Sequence, residues 1–114
     1  MTEDEVALEV LRKARELISQ ESAWTQGAFA RDANGKPCGM TSDSAVCWCA
    51  GGALIAAAHV LGHPEKNKAW NALQTYMGCS VIGWNDQRRK HRSILQAFDR
   101  AIKLVSSKLE RSDD

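Results

Sequence analysis

Apolar residues recur at helical spacing near the start of the chain. Ala7, Val10, Leu11, Ala14, Leu17 and Ile18 share one face, and Arg12, Lys13, Arg15 and Glu16 fill the rest. Thr2 and Glu5 stand in the S/T-x-x-E pattern of a capping box, where side chains satisfy backbone N–H groups that a helix start leaves open. A first helix over residues 1–20 follows. The period breaks between residues 22 and 42. Asn34-Gly35, inside Asp32-Ala33-Asn34-Gly35-Lys36, marks a tight turn because both residues accept positive φ. A two-stranded ribbon is expected over 28–38, with strands about Ala28 to Arg31 and Lys36 to Cys38. Two strands alone are marginal, so the ribbon must lean on helices.

Ser42 or Asp43 then caps a helix over 44–61, stopped by Gly62 with Pro64 beyond. It is apolar almost all round, which places it at the centre of the fold. Gly51 and Gly52 inside it each cost about 1 kcal/mol relative to Ala. That is tolerated where another backbone or ring packs very close. A third helix is expected over 65–77, with Ala69, Trp70, Leu73, Tyr76 and Met77 inward, and residues 78–86 read as a connection. A fourth helix over 91–107 buries Ile94, Leu95, Phe98, Ala101, Ile102 and Val105, capped by Asp86 or Ser93, with a frayed tail at 108–114. The pattern predicts a mainly α, four-helix single domain, residues 1–114, with a short two-stranded β-ribbon between helices 1 and 2.

Composition narrows the class. A chain of 114 residues, 44% hydrophobic, suits one domain and is too apolar for disorder. No apolar run approaches the roughly 18 residues of a membrane span. The acidic start, Met1 to Glu5, differs from the basic start of a secretory or transit peptide. A soluble cytoplasmic protein is expected, and its four cysteines read as free thiols, since intracellular thiols stay reduced.

The formal net charge of +1 conceals an asymmetry. Residues 1–23 hold three basic and six acidic side chains; residues 87–111 hold eight basic and two acidic. The run Arg88-Arg89-Lys90-His91-Arg92 could bind phosphates or an acidic partner. The alternative is a solvated charge run, consistent with a whole chain far less basic than most nucleic-acid domains.

Three other constellations carry candidate chemistry. Cys49 lies near a helix N-terminus, where a thiol pKa falls, and with His91 or His59 as base it could be a nucleophile. Asp86 or Asn85 would orient the base, and Gln26 could donate to an oxyanion. The competing reading is a buried structural thiol in an apolar helix. His59 and His63 stand four apart, but Gly62 falls between them, and Cys47-x-Cys49 lacks the usual zinc spacing, so no metal site is expected. Trp24-Thr25-Gln26, Arg31 and Trp84-Asn85-Asp86 place polar groups beside large rings. They form either a structural hydrogen-bond network, the favoured reading, or a ligand pocket.

These residues also carry a resemblance. The order Trp24-x-Gln26, Ala30-Arg31, Trp48-Cys49-Ala50-x-Gly52-Ala53-Leu54, Trp84-Asn85-Asp86 and Phe98-Asp99-x-Ala101-Ile102 resembles a small domain family of bacteria and their phages whose function is unknown. It spans about Val6 to Ile102. The resemblance implies a compact single domain and carries over no catalytic residue.

Two functional classes follow. The favoured one is a non-catalytic binding or interaction protein, an accessory or phage-derived regulator. It would meet a protein or nucleic-acid partner through the basic stretch 88–103, with Arg88, Arg89, Lys90 and Arg92 foremost. The alternative is a cysteine hydrolase or transferase using Cys49, His91, Asp86 and Gln26. A third possibility is a small-molecule binder at the Trp-rich seam of Trp84, Asn85, Asp86, Gln26 and Arg31. None of the three calls for a cofactor.

Overall fold

Thr2 starts the first helix as the periodicity predicts. Its hydroxyl accepts from the Glu5 N–H at 3.1 Å while the Glu5 carboxylate accepts from the Thr2 N–H, closing the capping box. These bonds hold the Glu5 carboxyl below its usual pKa. The helix, α1, spans Glu3–Leu17 and buries Ala7, Val10, Leu11 and Ala14. The computed structural model describes residues 2–63, 67–78, 80–87 and 90–112.

After a 3-10 turn at Glu21–Ala23, strand β1 covers Ala30–Arg31 and strand β2 covers Cys47–Trp48. They pair antiparallel, Ala30 opposite Trp48 and Arg31 opposite Cys47. The ribbon therefore lies between the first two long helices, but its second strand is not the expected 36–38 segment. The Asn34-Gly35 turn does form: Gly35 has φ +79°, and the Asp32 carboxylate accepts from the N–H groups of Asn34 and Lys36. The returning arm then makes a single bridge, Arg31 to Pro37, with one bond on each side of it: Asp32 N–H to the Lys36 carbonyl and Cys38 N–H to the Ala30 carbonyl. Pro37 has no N–H to extend a ladder. The free edge of β1 is taken by residues 46–49 instead, through Val46 N–H to Arg31 O and Cys49 N–H to Phe29 O.

That pairing moves the start of the central helix. Helix α2 spans Ala50–Leu61, six residues later than expected, because residues 46–48 are extended in the sheet. Ser42 caps no helix; its hydroxyl accepts from the Ser44 N–H within a turn. Cys49 is the N-cap, its sulfur accepting from the Gly52 N–H at 3.3 Å. Gly62, at φ +72°, closes the other end. Both internal glycines face close neighbours, and Gly52 faces backbone. A Cβ on Gly51 would lie 2.8 Å from the Trp70 ring, and one on Gly52 would overlap the Phe29 carbonyl.

Helix α3 spans Asn67–Met77; residues 65 and 66 of the expected 65–77 helix lie outside the described ones. Ala69, Leu73 and Met77 are inward, but Tyr76 is 47% exposed on the solvent side. The expected connection at 78–86 contains a six-residue helix, α4, Val81–Asp86, capped by the Ser80 hydroxyl on the Gly83 N–H. Asp86 ends α4 and caps no later helix. Helix α5 begins at His91, so Ser93 lies inside it, and runs to Ser112. Residues 108–112 are helical and not a frayed tail, since Leu109 continues the apolar stripe onto the core.

Helix α1 packs on α2 and α5, and α3 packs on α5. Leu11, Ile18, Leu54, Leu73, Ile94 and Phe98 fill the shared core. Among the described residues no helix is long and apolar enough to cross a membrane.

Candidate functional site

Asn85 is fully buried at the end of α4. Its side-chain oxygen accepts from the Trp24 indole at 2.7 Å and from the Ala50 N–H, the first residue of α2, at 3.0 Å. Its side-chain nitrogen donates to the Thr25 carbonyl and to the Asp86 carboxylate. All four valences of the amide are used. The Asn85 carbonyl accepts from the Gln26 side chain at 2.7 Å, and Asp86 also accepts from the Gly27 N–H. Arg31 closes the outer side through Thr25 Oγ1 and the carbonyls of Gln26 and Gly35. Trp84, 9% exposed, lies in the core beside them. Gln26, Arg31, Asn85 and Asp86 are thus joined by bonds to Trp24, Thr25, one another and backbone, with Trp84 packed beside them. These bonds tie residues 24–31 to α2 and α4, and on their outer side Asp86 and Cys49 border a small cavity with Gly27, Phe29 and Ile82.

Cys49 adjoins this network and is 2% exposed. Its place at a helix N-terminus would lower the thiol pKa, but burial pushes it up, and the Asp86 charge adds to the rise against the opposing Gly52 and Gly51 N–H groups. At this thiol burial therefore outweighs the effect of the helix N-terminus. The expected base is also elsewhere. His91 Nε2 donates to the Ile18 carbonyl at 2.6 Å, and its ring lies tilted against Trp24 at 5.7 Å between centroids. His63 pairs with Glu9, and His59 is exposed near the far end of α2. No imidazole is among the hydrogen-bond partners of Cys49, so Cys49, His91, Asp86 and Gln26 do not form a nucleophile–base pair with its supports.

Cys38, Cys47 and Cys49 are free thiols. Among the described residues no three His, Cys, Asp or Glu side chains converge as metal ligands.

The basic stretch behaves differently. Arg88 and Arg89 lie outside the described residues; Lys90 and Arg92 are exposed. Further along α5, Arg100, Lys103 and Arg111 line a groove of about 480 Å³ against Thr75 and Tyr76 of α3, with Leu104 and Ser107 beneath. Among the described residues no carboxylate lines it. At 100° per residue, Arg92, Lys103, Arg100 and Arg111 fall within about a 100° arc of one helix face. None of the four takes an ion-pair partner among the described residues, whereas Arg15 pairs with Asp99 and Lys68 with Glu3 and Asp4. The sequence did not mark Tyr76, Ser107 and Arg111 as groove residues: Tyr76 was expected inward, and Arg111 counted only within the basic stretch 87–111. The only signal for Arg111 and Ser107 was their helical register with Arg100 and Lys103.

A family model described as a family of unknown function, DUF6197, matches residues 2–104. The chain belongs to that family. No curated protein and no solved structure matches it. The family match spans the hydrogen-bond network and most of α5, ending within the α3–α5 groove.

Proposed function

We propose that the chain is a non-catalytic binding protein that holds an acidic partner on the basic face of α5. The observation that carries this reading is the groove lined by Arg100, Lys103 and Arg111, open to solvent and with no carboxylate among its described lining residues. Unpaired cations on one face raise the local concentration of anionic partners even when total charge is near zero. The alternative built on Cys49 lacks support in its surroundings, because a buried thiol with a raised pKa and no adjacent imidazole is a poor nucleophile.

Retention of the full chain on immobilised heparin tests the reading. The double change Arg100→Glu and Lys103→Glu is expected to lower the eluting salt concentration clearly more than Arg12→Glu with Lys36→Glu, an equal charge change on exposed residues elsewhere. Equal effects of the two pairs would remove the basis for placing the surface on α5.

A further inference from the structure

We infer that the α3–α5 groove is a seat for single-stranded nucleic acid, an inference that rests on the binding reading above and names its partner. The cations do not converge on a point, as a small anion would require. They run along the helix: at 1.5 Å per residue, Arg92 to Arg111 spans about 28 Å. A linear array matches a polymer with charge at regular intervals.

The choice between nucleic acid and an acidic peptide turns on Tyr76. Tyr76 is 47% exposed and lines the groove with Arg100 and Lys103, although its neighbours Leu73 and Met77 are buried. An aromatic face next to cations is the combination that holds single strands, the ring stacking a base while the cations track the backbone. Ser107 adds a hydroxyl, and Arg100 and Arg111 offer guanidinium forks suited to phosphate. Thr75 is committed, donating to the Asn71 carbonyl at 2.7 Å. A carboxylate-bearing peptide would use the cations and leave the ring without a role. A duplex fits poorly, because α5 is flanked by α3 along the groove and does not protrude as a helix entering a major groove must. The acidic side chains of this part of α5 do not enter it: Asp99 is bonded to Arg15 at 2.6 Å, and Glu110 is outside the groove lining.

The test is fluorescence anisotropy of the full chain with a labelled oligothymidine of about a dozen nucleotides, at increasing salt. Saturable binding is expected, with log K falling against log salt at a slope of about −2 to −3, as three or four neutralised phosphates require. Arg100→Glu with Lys103→Glu should weaken binding more than tenfold. Tyr76→Ala should weaken it about tenfold with the slope unchanged, because stacking is lost and charge is not; Tyr76→Phe should restore it. Circular dichroism checks that the variants fold. Binding insensitive to Tyr76→Ala, equal binding of the same-length duplex, or equal displacement by polyglutamate would each overturn the inference. If the oligonucleotide fails to bind while heparin retention persists, nucleic acid is excluded and the binding reading stands; loss of both removes the two together.

Discussion

The side-chain oxygen of Asn85 lies 2.7 Å from the indole nitrogen of Trp24, and the same atom accepts the first N–H of α2. One buried acceptor thus holds a loop, a helix start and a helix end. Asn85→Leu would leave both donors without a partner, and each buried orphan costs about 1–3 kcal/mol. A loss of about 3 kcal/mol or more of unfolding free energy is expected, measured by urea denaturation. Asn85→Asp keeps the acceptor but sets a second carboxylate against Asp86, so its deficit should shrink at acid pH, where the new carboxyl is protonated.

Gly51 and Gly52 separate by what opposes them. Gly51 faces the rim of the Trp70 ring, which can shift; Gly52 faces the Phe29 backbone, which is held by the Cys49 N–H. Gly51→Ala gains helix propensity against a small repacking strain and should change stability by about 1 kcal/mol or less. Gly52→Ala should destabilise by about 3 kcal/mol or more, at or beyond the usual range for overpacking. Thermal unfolding of the two variants measures the contrast.

Cys49 should react slowly with iodoacetamide in the native protein, after Cys38 and Cys47, which are only half-buried. Its raised pKa also fixes the sign of a pH effect. Because the folded value exceeds the unfolded one, the associated stability is complete below the unfolded thiol pKa of about 8.5 and is lost as pH rises through the folded value. Cys49→Ser keeps a helix cap and removes this titration. Denaturant unfolding between pH 8 and 10 should show a decline in the parent that is shallower in the variant.

The amphipathic helices were legible because their period is local. Val10, Leu11 and Ala14 declare the inner face of α1, and Ile94, Phe98 and Ala101 that of α5. The need for Gly51 and Gly52 was legible too, though not which neighbour each meets. The start of α2 was not. Val46, Cys47 and Trp48 are as apolar as the helix they precede, and their extended form is chosen by the backbone of Arg31 and Ala30. Helix α4 is too short to display a period, and Ser80 is its one local mark. For the groove, the charges from Arg92 to Lys103 were visible along the chain. The part played by Tyr76 was not, since it follows from the packing of α3 on α5.

The Asn85 network also constrains the order of events in folding. Trp24, Thr25 and Gln26 find their hydrogen-bond partners about sixty residues later, on Asn85. Until α4 is seated against α2, these three long-range bonds are absent and cannot offset the loop-closure entropy of the intervening chain. The contacts of α1 with α2 and α5 need none of these bonds. The helical core can therefore assemble first, and the segment from Trp24 to Gln26 docks onto α4 last. In reverse, that segment is the unit released earliest, and its amide protons should exchange through openings that leave the helices intact.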